Sequence, residues 1–245
     1  MKRQLLVLGI WIFSGAWSLV FGASTLNTLT DAEKTAGWKL LFDGKTFDGW
    51  RCFRSQTVLS NWVVSDGCLH HLPIKNMFRD LITDATFDDF ELEWDWKIAP
   101  KANSGVKYFI TEDGKSPIGF EYQMVDDQNW DPKHPQFETV HGTGSLYDVL
   151  RPKGVHTSAV GEFNHSRIVV SGQRIEHWLN GEKVVETDLG STKLKSAIAR
   201  SKFKDVPRFG EHKRGHILLQ DHNDEVWFKN IKIRSTTNEG RSTTK

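Results

Sequence analysis

Strict alternation of apolar and polar residues recurs along most of this chain. In the segment 90–97, Phe90, Leu92, Trp94 and Trp96 occupy every second position, and charged residues occupy the positions between them. Successive side chains of a β-strand point to opposite faces, so this pattern predicts a strand with one buried face in an antiparallel sheet.

Shorter runs of the same kind are separated by turn residues. The Asp66-Gly67 and Asn180-Gly181 pairs each predict a hairpin. The other predicted strands are 38–42, 106–111, 120–125, 167–171, 174–179, 182–186, 216–220 and 226–233. Helical patterns are confined to 31–37 and 192–201. Many short strands without a strand–helix–strand rhythm predict an all-β fold, a two-sheet antiparallel β-sandwich.

The N-terminus has the pattern of a signal peptide. Lys2 and Arg3 precede the apolar stretch 5–21, and Gly22 and Ala23 provide small residues for cleavage. We therefore expect residues 1–23 to be removed and the mature protein to be periplasmic or secreted. After cleavage, no apolar stretch is long enough to insert stably into a membrane.

Three further segments complete the predicted organisation: an N-terminal segment 24–36, a single domain 37–234 and a polar tail 235–245. The tail is rich in Ser, Thr, Asn and Lys, which predicts disorder.

Composition and charge narrow the class of partner. The 245 residues carry a formal net charge of +1, so no strong field attracts nucleic acid. Some of the ten tryptophans must lie in the core, and the flat face of Trp also suits stacking on sugar rings, but composition does not divide the ten between these two roles. Cys52 and Cys68 are either a disulfide or two buried thiols, and the sequence leaves both interpretations open. It carries no indication of oligomeric state.

The strand 120–125 carries the first candidate site. Glu121 and Gln123 share one face, and Asp126 and Asp127 follow at the strand end. Paired carboxylates suit acid–base catalysis or metal binding, although a solvated polar face explains the same alternation.

Other candidates are spread over the chain. Gln220 and His222 share a strand face, with His222 at the strand end. The loop 126–144 is longer than an ordinary connection and contains Trp130, which favours a functional role. His177 shares a strand face with the apolar residues Ile175 and Leu179, which favours a core histidine.

Nine segments, in order, resemble the 3-keto-disaccharide hydrolase family, formerly catalogued as a domain of unknown function. They are LFDGKT (41–46), DGW (48–50), NSGV (103–106), EYQ (121–123), TGSLY (143–147), EHWLNG (176–181), SKF (201–203), GHILLQDH (215–222) and FKNI (228–231). The sequence departs from the family pattern at Asn223, where Gly is usual, and at Lys229, where Arg is usual.

The resemblance implies a concanavalin A-like jelly roll that acts on a carbohydrate substrate, a glycoside already oxidised at C3. The C3 ketone acidifies the C2 proton, so the reaction needs a base near C2, an electrophile at the C3 oxygen and an acid for the leaving oxygen. On this basis the expected catalytic residues are Glu121, Lys202, His177 and Tyr147, and the expected base is Lys202, His177 or Tyr147.

The resemblance also suggests residues that bind the sugar and residues that bind a divalent cation of unknown identity. It implies no organic cofactor. Glu121, Asp126 and His222 are the expected metal ligands. Asn103, Gln123 and Gln220 are expected to hydrogen-bond the sugar, and Trp130 or Trp178 to stack on it.

Two other functions fit the same fold. A noncatalytic carbohydrate-binding module would bind unoxidised glycans without forming a product. A conventional glycosidase would use Glu121 and Asp126 as a carboxylate pair and would need no ketone. A structural domain of a larger surface assembly is a third interpretation.

Overall fold

The computed structural model describes residues 26–131, 133–211 and 214–237, so the predicted signal peptide and residues 238–245 of the predicted tail lie outside it. Within these ranges the elements are two helices and thirteen strands. In chain order they are α1 (Asp31–Thr35), β1 (Lys39–Leu40), β2 (Trp50–Cys52), β3 (Trp62–Ser65), β4 (Cys68–His71), β5 (Leu81–Thr83), β6 (Phe90–Ile98), β7 (Asn103–Ile110), β8 (Phe120–Val125), β9 (Asn164–Ser171), β10 (Arg174–Leu179), β11 (Glu182–Asp188), α2 (Thr192–Ile198), β12 (His216–Leu219) and β13 (Val226–Ser235). None of the helices in the described part of the chain is long and apolar enough to span a bilayer.

The strands form two antiparallel sheets packed face to face, a β-sandwich of the concanavalin A-like jelly-roll kind, as the sequence predicts. The larger sheet has the order β11-β10-β9-β6-β13-β4-β3, with β1 also paired to β13. The smaller sheet has the order β2-β5-β12-β7-β8. Non-consecutive neighbours are common in both sheets, which the hydrophobic pattern alone does not reveal.

The core lies between the two sheets. The apolar face of β6 is buried as predicted, with Phe90, Leu92, Trp94 and Trp96 each 1% exposed. Tyr122 on β8 packs edge-on against Trp94, with ring centroids 5.0 Å apart. The inner face of the smaller sheet therefore meets the inner face of the larger one, and its outer face is left free for a site.

A bulge interrupts the pairing of β7 with β12. The register shifts between His216 and Leu218, and Phe109 adopts a φ of 62° opposite this shift. Gly215 lets the chain before β12 approach the backbone of Phe109 closely, because a Cβ at position 215 would lie 2.5 Å from the Phe109 carbonyl carbon. Bulges bend a strand and re-aim its side chains, so this one shapes the outer face of the smaller sheet.

The structure differs from local expectations in small ways. Helix α1 ends at Thr35, two residues before the predicted limit of 37, and its N-cap is Thr30, which forms a reciprocal capping box with Glu33. Cys52 and Cys68 lie in different sheets as buried free thiols, so the disulfide interpretation is wrong. Strand β13 continues to Ser235, the first residue of the predicted tail.

Candidate functional site

A cavity of about 410 Å³ lies on the outer face of the smaller sheet. Its floor comes from adjacent strands β7 and β8 and from the chain that follows β12. Its walls come from the β7–β8 loop, from Tyr147 and from the segment that follows α2. The lining residues are Asn103, Lys107, Ser116, Pro117, Ile118, Gly119, Glu121, Gln123, Tyr147, Lys202, Phe203, Val206, Gln220 and His222.

Strand register brings the polar floor together. Lys107 pairs with Glu121 across β7 and β8, and Gly105 pairs with Gln123. The backbone N–H of Gln220 donates to the carbonyl of Gly105 (2.9 Å), which aligns the chain after β12 with the same face. Residues directly opposite each other on paired strands project to the same side. Glu121, Gln123, Gln220 and His222 therefore line one cavity.

Glu121 is the buried acid of this cavity. It is 6% exposed, and its Oε2 lies 3.6 Å from Nζ of Lys107. Burial raises the pKa of the Glu121 carboxyl, and the positive charges of Lys107 and Lys202 oppose this rise. A carboxylate with a raised pKa is a stronger base when it is ionised, as proton abstraction from carbon requires.

Gly105 makes room for this carboxylate. A Cβ at position 105 would lie 2.7 Å from Oε1 of Glu121 and 3.1 Å from the backbone oxygen of Tyr122. The glycine of the NSGV segment therefore serves close packing against the acid.

Amide groups line the part of the cavity next to Glu121. Nε2 of Gln123 donates to Oδ1 of Asn103 over 3.3 Å. Within the described residues, Oε1 of Gln123 and Oε1 of Gln220 are buried without a hydrogen-bond partner. Leaving a buried acceptor unpaired is costly, and the hydroxyl groups of a sugar are donors that can pair with such oxygens after small side-chain adjustments.

The loop residue Lys202 is held over the cavity by its backbone. Its N–H donates to Oδ2 of Asp148 (2.6 Å), while Oδ1 of Asp148 pairs with Nε2 of His141 (2.8 Å). Nζ of Lys202 lies 4.3 Å from the centroid of the Tyr147 ring. Burial and the nearby acids Glu121 and Asp148 raise the pKa of the Tyr147 phenol, so it stays protonated at neutral pH.

The predicted metal-ligand set is not assembled. Asp126 follows the end of β8 at Val125 and does not line the cavity that contains Glu121. It lines a different cavity, together with Asp127 and Asn129. Its oxygens instead accept from Asn129 Nδ2 (3.1 Å each) and from Lys101 N (2.9 Å). Throughout the described ranges, no group of three or more His, Cys, Asp and Glu side chains is arranged to hold a metal ion.

Three aromatic candidates also lie outside the cavity. His177 is fully buried between the sheets, where it contacts the Tyr108 hydroxyl and the Gly144 carbonyl (3.0 Å each), so it is a core histidine and not a base. Burial lowers its pKa to about 4. Trp178 lies on the larger sheet under the Arg167 guanidinium, 4.1 Å from its ring centroid. Trp130 is 41% exposed and is not part of the lining.

Two charged residues at this site, Lys107 and Asp148, were not predicted. Lys107 lies on the same strand face as Asn103 and is the single charged residue in the strand 103–110. The sequence therefore contained a signal that could have identified it. Asp148 follows Tyr147 directly, but its contact with Lys202 spans 54 positions and has no local signature.

Comparison with known proteins gives consistent matches over most of the chain. The model of the 3-keto-alpha-glucoside-1,2-lyase-like domain matches residues 37–234. A 3-keto-disaccharide hydrolase of Bacteroides thetaiotaomicron is 30% identical over 247 aligned positions, which cover 89% of this chain and 85% of that protein.

Solved structures agree with this match. A crystal structure from Parabacteroides distasonis, named as a glycosyl hydrolase, is 32% identical with a TM-score of 0.79, over 87% of this chain and all of that one. A second protein so named from the same organism is 28% identical with a TM-score of 0.62, over 81% of this chain and 98% of that one.

Proposed function

Because the chain belongs to the family of 3-keto-alpha-glucoside-1,2-lyase-like domains, we propose that it cleaves the glycosidic bond of 3-keto glycosides or 3-keto disaccharides. The proposed path is removal of the C2 proton, β-elimination of the group at C1, and addition of water. The predicted signal peptide supports a periplasmic or secreted location for this reaction.

The path has three steps: proton removal, elimination and hydration. The base takes the proton from C2, and the electrons of the C2–H bond form an enolate with the C3 carbonyl. Those electrons then form the C1–C2 double bond as the C1–O bond breaks, and the leaving oxygen takes a proton from an acid. Water adds across the C1–C2 double bond of the resulting 2-hydroxyglycal, which gives a free 3-keto sugar.

One observation carries the proposal: the cavity lining contains a single carboxylate, Glu121. An ordinary glycosidase needs two carboxyl groups, either about 5–5.5 Å apart or about 6.5–9.5 Å apart. The expected partner Asp126 does not line the cavity, so this pair is not available. Elimination needs one base together with cationic and hydroxyl donors, which is the set that the cavity provides.

The positions of the side chains suggest their roles. Glu121 removes the C2 proton, and Lys107 beside it stabilises negative charge on the C3 oxygen. Tyr147, whose backbone N–H donates to the carbonyl of Glu121 on the side of β8 opposite Lys107, and Lys202 above the Tyr147 ring are donors to the leaving oxygen. Asn103, Gln123 and Gln220 bind the sugar hydroxyls. A divalent cation stays a separate prediction, because the described ligands do not form a site for it.

The test compares an aryl glucoside with its 3-keto derivative, each incubated with the mature protein, and follows release of the phenol. We expect turnover of the keto form alone. Cleavage of the unoxidised glucoside would establish a conventional glycosidase. Binding of either sugar without release of the phenol would establish a noncatalytic binding module.

A further inference from the structure

A second cavity of about 370 Å³ adjoins the first on the same face of the smaller sheet. Ser116 and Pro117 line both cavities, so they form the boundary between them. The remaining lining residues of the second cavity are Phe53, Arg54, Phe78, Arg79, Asp80 and Lys115. A substrate bound at Glu121 that extends past Pro117 would enter this second cavity.

The second cavity is rich in unpaired positive charge. Arg54 and Arg79 donate side-chain hydrogen bonds only to backbone oxygens, of Gly114 (2.9 Å) and Phe78 (2.8 Å) respectively. In the described ranges, neither these two arginines nor Lys115 forms a side-chain ion pair. Elsewhere on this protein arginines pair with acids, as Arg51 does with both oxygens of Glu112 (2.9 and 2.6 Å).

The acids near this cavity do not neutralise these three cations. Asp80 is the one carboxylate among the lining residues, and its Oδ1 accepts from the backbone N–H of Asp221 (2.9 Å). Its strongest charge interaction is with Lys107 in the neighbouring cavity. Glu112 pairs with the Arg51 guanidinium and accepts from the backbone N–H of Arg54 (2.7 Å), so its contact with Arg54 is through the main chain and not through the guanidinium. The surplus positive charge therefore faces the open space of the cavity.

Aromatic surface accompanies this charge. Phe78 is 57% exposed, the largest exposure of any described large apolar side chain. Phe53 packs on the small apolar cluster of Ile82, Ile110 and Leu218 on the outer face of the sheet. Exposed aromatic faces bind sugar rings, and guanidinium groups bind oxyanions through paired N–H donors.

We propose that the second cavity receives the leaving group of the substrate, and that this leaving group is an acidic sugar carrying a carboxylate or sulfate. Phe78 contacts the ring, and Arg54 and Arg79 bind the oxyanion. This assignment rests on the proposed function, since it takes the first cavity as the place where the C3-oxidised ring binds. It predicts that substrates with a negatively charged leaving group are preferred, and the first cavity alone does not provide this preference.

Turnover of two matched substrates tests the proposal. The 3-keto derivatives of a glucosyl-glucuronate disaccharide and of its neutral glucuronamide both have a ring in the leaving group and differ only in its charge. We expect kcat/KM to favour the carboxylate about tenfold at low salt, and the preference to fall as salt is added. Arg54→Gln and Arg79→Gln should each reduce the preference about threefold. The matched control Lys39→Gln, an exposed cation on the larger sheet, should leave it unchanged.

Equal turnover of the two substrates would overturn the proposed subsite and leave the proposed reaction intact. If neither substrate is turned over, the proposed reaction is overturned. Direct binding of sugars then tests the subsite separately. Calorimetric titration with glucuronate, glucose 6-sulfate and glucose should show binding of one or both anions. The double arginine variant should lose this binding, and the anion that binds more strongly identifies the preferred oxyanion. Indistinguishable binding of all three sugars would refute the subsite.

Discussion

Replacing Glu121 by Gln tests the base directly. The amide has nearly the shape of the carboxylate, so it fits the space next to Gly105, but it does not accept the C2 proton. Positioned general bases contribute about 10²- to 10⁴-fold to rate, or roughly 3–5 kcal/mol of activation free energy. We therefore expect kcat to fall by about that factor with little change in KM.

The fold should tolerate this substitution. Glu121 is 6% exposed and burial raises the pKa of its carboxyl, so the neutral amide relieves a desolvation cost. Lys107 loses one carboxylate but keeps its interaction with Asp80. Thermal unfolding of the variant should therefore occur near the wild-type temperature, which separates loss of catalysis from loss of structure.

The assay is aglycone release from a 3-keto glycoside, measured over a range of substrate concentration and pH. Glu182→Gln, at an exposed position of the larger sheet, is the matched control and should retain full activity. In the wild type, kcat/KM should rise with pH through a value above 4.5, the ordinary glutamate pKa, because only the ionised carboxylate accepts a proton. Unchanged kcat in a folded Glu121→Gln variant would refute this assignment.

Three further predictions follow from individual contacts. Gly105→Ala places a Cβ 2.7 Å from Oε1 of Glu121 and should lower kcat by about tenfold or more. Gly114→Ala, whose Cβ meets nothing nearer than 3.6 Å, should not, and equal rates in the two variants would contradict the packing argument. Burial raises the pKa of Asp127 from 3.8 to about 6, so its contribution to stability is present below pH 3.8 and is lost as the pH rises through 6. Asp127→Asn should therefore be more stable than wild type by roughly 3 kcal/mol in denaturant unfolding at pH 7, with no difference near pH 3; a constant difference would point to another cause. Dialysis against a chelator tests the separate prediction of a divalent cation: a loss of turnover that Mn²⁺ or Ca²⁺ restores would show that a cation takes part, and unchanged turnover would contradict it.

Local pattern predicted the strands well, because burial of one face fixes their alternation. Strands 120–125 and 174–179 match the predicted limits, and the hairpin turns at Asp66-Gly67 as expected. Asn223 has a φ of 61°, the left-handed backbone that its replacement of a family glycine requires. These features depend on residues that are near one another in the chain.

The structure brings some of the predicted site residues together and separates others, and the separations have physical causes. Asp126 was grouped with Glu121 by proximity in sequence, although it follows the end of β8 and lines a different cavity. Trp178 was expected at the sugar, but its strand belongs to the other sheet. Strand order and the distant contact between Asp148 and Lys202 depend on tertiary packing that periodicity does not encode.

We propose that bond cleavage begins with removal of the C2 proton by Glu121. The most direct measurement compares a 3-keto glycoside with the same compound deuterated at C2. If Glu121 removes the C2 proton, we expect slower aglycone release from the deuterated compound. We also expect the product to carry hydrogen from the solvent at C2. Equal rates, with deuterium retained at C2 of the product, would contradict it.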